Sequence, residues 1–152
     1  MPKELSIEEI YDKCLIDGII IPQNEVEIDK IESMIKIAEQ TLESGKLVFK
    51  NKLWSPGYNL YYDVLHILVD AFLRFEKIKS NNHQCLFAYL CIKHPELELD
   101  WNFFEKIRTK RNGINYYGTP VNEKDWKDVE IQFNLYIAVL KNEIIKKIES
   151  NN

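Results

Sequence analysis

The chain has 152 residues, of which 45% are hydrophobic and 29% are charged, as expected for one ordinary globular domain with a single core. Its net charge of −4 excludes the basic footprint that duplex-DNA binders spread over a whole domain, although it is compatible with a local basic patch. No apolar run approaches the ~20 residues of a membrane-spanning helix, and the first residues lack the apolar segment of a secretory signal.

Helix start and stop signals recur along the first third of the chain. Ser6 opens a capping box for a short first helix, which Gly18 ends. Asn24 opens a second helix, whose apolar residues keep a spacing of three and four until Gly45. Residues 46–54 are ambiguous, and a short extended piece over residues 46–49 (KLVF) is one alternative there.

The third predicted helix is the most apolar and is expected at the centre of the fold. Ser55 and Pro56 form a good N-cap and N1 pair, and the helix is expected to run to about Ile78. A broad apolar face, typical of a central bundle helix, is formed by Leu60, Tyr61, Val64, Leu65, Leu68, Val69, Phe72 and Phe75.

Three further helices follow. Asn82 starts one that ends before Pro95, and Asp100 caps another that ends at Gly118. Asn122 opens the last helix, whose apolar residues from Trp126 onward keep an amphipathic spacing of three and four.

The helical patterns predict a single all-α domain over residues 1–152, an antiparallel bundle of four or five main helices plus a short N-terminal helix. The three cysteines, Cys14, Cys85 and Cys91, form no even disulfide framework. With the missing signal segment, this favours a reduced, cytoplasmic location. No metal site and no cofactor are expected, because no paired cysteine motif and no glycine-rich phosphate loop occur in the sequence.

Arg111 is unusual because it falls within the apolar arc of the fifth predicted helix, which Phe103, Phe104, Ile107 and Ile114 define. An arginine is rarely buried unless it is paired. Either its side chain lies at the edge of the arc in a salt bridge with an acid of the bundle, or its guanidinium faces a pocket or an interface. The sequence leaves both alternatives open.

The same segment concentrates positive charge beside aromatic rings. Residues 105–118 have a local charge of +3, from one acid and four cations, Lys106, Arg108, Lys110 and Arg111. Tyr116 and Tyr117 follow directly. Such a cluster is typical of sites that bind phosphate and stack on bases, although a solvated basic face that ends in two core tyrosines fits the pattern as well.

A second polar cluster lies on the third predicted helix, where Asp63, His66 and Asp70 are spaced by three and four residues. These side chains have the chemistry of an acid–base or metal cluster. The simpler hypothesis is a polar stripe that faces solvent or a partner helix, with His66 hydrogen-bonded to Asp70.

Three stretches of the predicted helices together carry a resemblance to a known family. They are residues 58–66 (YNLYYDVLH), 83–90 (HQCLFAYL) and 111–118 (RNGINYYG). In order and spacing they resemble the HEPN superfamily (higher eukaryotes and prokaryotes nucleotide-binding domains), over roughly residues 25–148. The first two look like consecutive core helices of that family, and the resemblance gives His66 a place beside its cleft. The third stretch occupies the position of the family signature.

That signature is an arginine, a polar residue, three variable residues and a histidine. Arg111 and Asn112 match its first two positions, whereas Tyr116 occupies the place of the histidine. Active members are metal-independent endoribonucleases whose cleft forms where two subunits bring their signatures together. The resemblance therefore implies a homodimer with Arg111 near the two-fold axis.

The resemblance also assigns roles to these residues. Arg111 would bind the scissile phosphate, because a planar guanidinium matches phosphate oxygens, and Asn112 would orient the phosphate or stabilise the arginine. Tyr116 would donate a hydrogen bond, since a tyrosine with the ordinary pKa of about 10 is a poor base at neutral pH. Three further residues are expected to contact RNA: Arg108, Lys110 and Tyr117.

The function implied by the resemblance is that of a homodimer acting on RNA. It would be either a metal-independent endoribonuclease of the toxin or defence type, or an RNA-binding relative with weakened catalysis. The alternative is a non-catalytic nucleotide- or protein-binding module that partners a nucleotidyltransferase. In some toxin members such a partner modifies a tyrosine two residues after the histidine with AMP, but here that position is Gly118.

Overall fold

The fold is built almost entirely from helices. A computed structural model describes residues 4–151, in which seven α-helices and one two-stranded ribbon occur. In chain order they are α1 (Ile7–Ile16), β1 (Ile21–Pro22), α2 (Ile28–Lys50), α3 (Trp54–Arg74), β2 (Ile78–Lys79), α4 (His83–Lys93), α5 (Trp101–Tyr117), α6 (Glu123–Lys127) and α7 (Glu130–Ser150). Over the same residues, none of the helices combines the length and the apolar character that crossing a bilayer requires.

Helix α3 lies at the centre of the bundle and packs against α2, α4, α5 and α7. Only residues 51–53 separate α2 from α3, so the two helices form an antiparallel hairpin. The inner face of α3 is buried along its whole length, from Tyr58 to Leu73. The predicted all-α helical bundle is thus confirmed.

Aromatic rings fill the core at one end of α3. The Phe49 ring of α2 stacks on Trp126 of α6 with ring centroids 4.0 Å apart, and Tyr61 meets the same tryptophan edge-on at 4.7 Å. Gly57, in the first turn of α3, lies directly against Phe49: a Cβ at this position would stand 2.4 Å from a ring carbon. Only glycine therefore lets this ring reach its place in the core.

The predicted caps are confirmed where they depend on local chemistry. The side chains of Ser6, Asn82 and Asp100 each accept a hydrogen bond from a backbone N–H in the first turn of α1, α4 and α5, at 3.2, 2.9 and 2.9 Å. Gly18 and Gly118 follow α1 and α5 with φ of +66° and +62°, a conformation that favours glycine. These residues fix where α4 and α5 begin and where α5 ends.

The predicted bounds of α2 were wrong at both ends. The helix begins at Ile28 rather than after Asn24, and it runs through Gly45 to Lys50, so residues 46–50 are helical rather than extended. Gly45 faces the ring of Tyr61, where a Cβ would come within 2.9 Å of two ring carbons. This glycine serves the contact between α2 and α3 and does not end the helix.

Helix α3 also differs from its prediction. It begins at Trp54, and the Ser55 hydroxyl accepts a hydrogen bond from the Val121 backbone N–H at 3.0 Å instead of capping the helix. The helix ends at Arg74, and Lys77, with φ of +60°, turns the chain into β2. There Ile78 pairs antiparallel with Pro22 of β1, a two-residue ribbon that is too short to leave a pattern in the sequence.

The predicted last helix is two helices. Asn122 and Asp125 form a capping box that opens the five-residue α6. The chain then leaves helical geometry at Val129, and α7 begins at Glu130. A hydrogen bond of 3.0 Å from the Trp126 indole N–H to the Glu130 carboxylate spans the break.

Cys14 and Cys85 form a disulfide that joins α1 to α4, with their Cα atoms 5.9 Å apart. The odd cysteine count predicted no disulfide framework, and for this pair the prediction was wrong. The two cysteines are 71 positions apart in the sequence, and the packing of α1 on α4 brings their sulfur atoms together. Cys91 stays free. The cytoplasmic location, which depended partly on unpaired cysteines, stays a prediction.

Candidate functional site

One polar cleft of about 330 Å³ opens between the start of α4 and the second half of α5. Its lining consists of Asn81, Asn82, His83, Gln84, Arg108, Arg111, Asn112 and Tyr116. Four of the six site residues predicted from the sequence are therefore together in one place. The other two, Lys110 and Tyr117, do not line this cleft.

Arg111 extends its guanidinium between two aromatic rings. Its central carbon lies 5.4 Å from the centroid of Tyr62, on α3, and 5.9 Å from that of Tyr116. Its Nη1 is 3.4 Å from the Asn112 side-chain oxygen. Within residues 4–151, no carboxylate oxygen lies within 4.0 Å of Arg111, so of the two alternatives the salt bridge with an acid of the bundle is not formed and the guanidinium faces a pocket.

Two of the three neighbouring cations, Arg108 and Lys110, are paired with acids, whereas Lys106 is exposed and does not line the cleft. Arg108 donates two hydrogen bonds to Glu105, from Nε at 2.9 Å and from Nη2 at 3.1 Å. Lys110 lies 3.4 Å from Asp125. Glu105 is already included in the local charge of +3, so only Asp125 lowers it further, and the unpaired positive charge of the cleft is at Arg111.

The two consecutive tyrosines at the end of α5 are both exposed and point to different surroundings. Tyr116 is 69% exposed and forms part of the cleft wall, whereas Tyr117 is 81% exposed and lies outside it. Neither is a core residue, so the hypothesis of two core tyrosines was wrong. Large exposed rings beside an open cleft provide surfaces on which a base or another protein can pack.

Two histidines lie against the cleft. His83, the first residue of α4, stacks on His66 of α3 with ring centroids 3.7 Å apart and planes 26° apart. The Nδ1 atom of His83 is 2.9 Å from the hydroxyl oxygen of Tyr62, a fully buried side chain. The Nε2 atom of His66 is buried and has no hydrogen-bond partner in the described part of the chain.

Both imidazoles are neutral at physiological pH. Burial, with a smaller contribution from the positive charge of Arg111, lowers the pKa of His66 to about 4. Burial likewise lowers the pKa of His83 to about 4, with smaller contributions in the same direction from His66, Arg111 and Arg108. The cleft is thus lined by two permanent cations, Arg108 in its pair with Glu105 and Arg111 without a carboxylate, and by the uncharged ring of His83, on which His66 stacks.

The predicted cluster of Asp63, His66 and Asp70 is separated into different environments. Asp70 pairs with Arg74, whose Nε lies 3.2 Å from its carboxylate, and the predicted hydrogen bond between His66 and Asp70 is not formed. The Asp63 side chain is exposed; partial burial raises the pKa of its carboxyl group, and the positive charge of Arg111 opposes this. In this cluster, the positive charge of Arg111 lowers the pKa of both His66 and Asp63.

Side-chain hydrogen bonds hold the walls of the cleft together. Gln84 of α4 donates a hydrogen bond to the Glu105 carboxylate of α5 at 3.1 Å. The same carboxylate accepts from Arg108, so Gln84 helps to position this ion pair. Asn59 of α3 donates to Asn115 of α5 at 2.8 Å, one turn beyond Arg111. The site is consequently carried by three helices rather than by one loop.

The sequence indicated Arg111 and its neighbours but assigned no role to His83, Tyr62 or Gln84. Tyr62, His83 and Gln84 lie in the stretches 58–66 and 83–90, where the sequence marks these three residues only through the resemblance to core helices. The contact between Tyr62 and His83 joins residues 21 positions apart and arises only when α3 and α4 pack together. The one available signal was the pair of asparagines before His83, which predicted a helix that begins at this point.

The chain matches no protein-family model, no curated protein and no solved structure.

The geometry of the cleft fits an anion better than a cation. Arg111 contributes a charge that no carboxylate within 4.0 Å balances in residues 4–151, and α4 directs the positive end of its backbone dipole toward the same space. The asparagine side chains at positions 81, 82 and 112 add hydrogen-bond donors. A phosphate group is the common biological anion that suits a guanidinium, amide donors and neighbouring aromatic rings.

Proposed function

We propose that this protein acts on RNA as a HEPN-like homodimer that cleaves the backbone without a metal ion. The observation that carries the proposal is Arg111, a half-buried guanidinium with no carboxylate within 4.0 Å in residues 4–151, facing a polar cleft at the start of α4. A half-buried cation without an acid costs folding free energy unless a ligand uses it. A backbone phosphate is such a ligand.

The other residues of the cleft fit the same substrate. Asn112 lies beside Arg111 and orients either the guanidinium or a phosphate oxygen. Tyr116 is exposed at the edge of the cleft, where its hydroxyl donates a hydrogen bond to the oxygen that leaves when the backbone is cut. Arg108 and Lys110 are each paired with an acid, so RNA would compete with Glu105 and Asp125 for them, and they do not hold the reacting phosphate.

The homodimer is supported by the exposed aromatic surface next to the cleft. Tyr116 and Tyr117 are large, exposed side chains at consecutive positions. Exposing two such rings to water does not stabilise an isolated domain. A second copy placed over this edge would cover them and would bring two Arg111 side chains toward each other. In that arrangement each RNA phosphate sits between two signature segments.

The test compares RNA cleavage by the wild type with that by two variants that lose the same charge. Arg111→Ala removes the cleft arginine, whereas Lys106→Ala removes an exposed cation of α5 that does not line the cleft. A mixed, end-labelled RNA pool is incubated with each protein in EDTA, and light scattering gives the mass of each in solution. We expect cleavage by the wild-type dimer and by Lys106→Ala, and none by Arg111→Ala.

Equal cleavage by all three proteins would refute the role of Arg111 and indicate a contaminating nuclease. A monomeric wild type that still cleaves would refute the homodimer but not the site. Circular dichroism on each variant shows whether the helical fold survives the substitution, so that loss of activity is not confused with loss of structure.

A second candidate function is that of a non-catalytic module that binds RNA, a nucleotide or a partner nucleotidyltransferase. It is favoured by Tyr116, which stands where the family histidine would transfer a proton. In this case the wild type cleaves nothing but binds RNA more tightly than Arg111→Ala. Tyr116→His distinguishes the two candidates, because it creates or raises cleavage only if the rest of the cleft is competent for the reaction.

A further inference from the structure

His83 has one nitrogen that is fixed by the fold and one that is free. Its Nδ1 lies 2.9 Å from the hydroxyl oxygen of Tyr62. Its Nε2 forms no hydrogen bond within residues 4–151, and it is not among the buried atoms that lack a partner. The side chain lines the cleft, so the free nitrogen has access to solvent there.

The buried hydroxyl of Tyr62 decides which nitrogen of His83 carries the proton. Burial raises the pKa of Tyr62, so the phenol keeps its proton, and a buried hydroxyl hydrogen needs an acceptor. Within the described residues the Nδ1 of His83 is the acceptor at hydrogen-bond distance. Tyr62 therefore donates to Nδ1, and the neutral imidazole carries its own hydrogen on Nε2.

We propose that His83 presents its Nε2–H to the cleft as a hydrogen-bond donor for the same RNA phosphate that Arg111 binds. The proposal rests on the proposed function, which it deepens by adding a substrate-binding residue from α4 and a positioning residue, Tyr62, behind it. His66 also holds the ring, because the two imidazoles stack with their centroids 3.7 Å apart. An uncharged donor adds directionality at the phosphate without adding a second positive charge beside Arg111.

The surroundings of His83 are consistent with a ring that stays neutral at pH 7. The charged groups that act on it are Arg111 and Arg108, which lower its pKa, and Asp70, which raises it by a smaller amount. Burial has the largest effect and lowers the pKa as well. A neutral ring cannot donate from both nitrogens, so the hydrogen bond from Tyr62 is what makes Nε2 the donor.

Binding of a 2′-O-methyl RNA oligonucleotide tests this role apart from cleavage, because the methyl group blocks the attacking hydroxyl. Fluorescence anisotropy is measured for the wild type, His83→Ala, His83→Gln and His83→Asn, with Lys106→Ala as the control for net charge. The amide nitrogen of glutamine reaches the position of Nε2, whereas that of asparagine reaches only Nδ1. Because one hydrogen bond to a charged phosphate is lost, we expect His83→Ala and His83→Asn to bind about tenfold to a hundredfold more weakly. His83→Gln should stay within a few-fold of the wild type.

Two outcomes separate the failure of this inference from that of the proposed function. If Arg111→Ala weakens binding but His83→Ala does not, the role of His83 is refuted and the RNA site stands. If neither the wild type nor any variant binds RNA, the proposed function fails. In that case the role of His83 is tested by nitrogen-15 NMR, which reports which ring nitrogen carries the hydrogen, with inorganic phosphate added as the ligand. The expected result is a hydrogen on Nε2 of His83 and a shift of that signal with phosphate; a hydrogen on Nδ1 would overturn the assignment.

Discussion

Lowering the pH should destabilise this protein because His66 takes up a proton on unfolding. Replacing His66 by a residue that cannot be protonated should remove this loss of stability. In the native state, burial lowers the pKa of His66 to about 4, while the unfolded chain keeps the ordinary value of 6.5. Between these values the unfolded state binds more protons than the native state, so the free energy of unfolding falls as the pH falls. The contribution of His66 is complete above pH 6.5 and is lost as the pH approaches 4.

The size of the effect follows from the burial of the ring. Each pKa unit corresponds to about 1.4 kcal/mol, so the interval from 6.5 to about 4 gives a loss of about 3 kcal/mol from His66 alone. The Nε2 of His66 is buried without a partner, which means that a proton added there finds no acceptor among the described residues. The pKa of His83 is also lowered to about 4, so its protonation acts in the same direction and is common to the wild type and to a variant at His66.

The assay is urea unfolding followed by tryptophan fluorescence at several pH values between 7 and 4, with the disulfide kept oxidised. His66→Phe is the comparison, because phenylalanine retains a flat ring against His83 but cannot take a proton. We expect the variant to match the wild type at pH 7 and to be more stable than the wild type by up to about 3 kcal/mol near pH 4. If both proteins lose stability in parallel across this range, the assignment of a buried neutral His66 is wrong.

Three further predictions concern stability. Gly57→Ala should destabilise the protein by about 1–3 kcal/mol or more, because the new methyl group collides with the Phe49 ring. Gly113→Ala makes only an ordinary contact at 3.7 Å and should stabilise α5 by about 0.5–1 kcal/mol. Urea unfolding at neutral pH compares the two variants, and equal effects would contradict the packing argument. Replacing Cys14 by serine should cost about 4 kcal/mol, since the disulfide closes a 71-residue loop in the unfolded chain, and treating the wild type with a reductant should give the same loss in a thermal melt. Asp100→Ala should cost about 0.5–2 kcal/mol through the lost N-cap of α5, and an unchanged unfolding midpoint would show that the cap contributes nothing.

Local signals in the sequence predicted the helices, and distant contacts decided the bounds that were missed. The caps at Ser6, Asn82 and Asp100 depend on residues within one turn, so they could be inferred without the fold. Gly45 reads as a helix end in isolation, but it lies inside α2 because the ring of Tyr61 needs the space beside it. The ribbon between β1 and β2 and the break at Val129 have no periodic pattern that reveals them.

The candidate site was predicted in part for the same reason. Arg111 is conspicuous in the sequence because its position on the helix conflicts with its charge, and such conflicts mark functional residues more often than regular positions do. Lys110 belongs to the same basic run, yet its partner Asp125 comes from α6, and no spacing within α5 indicates that contact. His83 was overlooked because its hydrogen bond to Tyr62 joins two helices, and a single sequence does not report such pairs.

The bond between Cys14 and Cys85 also divides the molecule mechanically. Residues 15–84, which include α2 and α3, form a closed covalent ring, whereas α5, α6 and α7 lie outside it. Force applied between residues 4 and 151 would therefore unravel only the segments outside the ring, and about 250 Å of extended chain would stay locked until the bond is reduced. Because His83 lies inside the ring and Arg111 outside it, a pulled molecule loses its cleft while its central hairpin is still covalently enclosed.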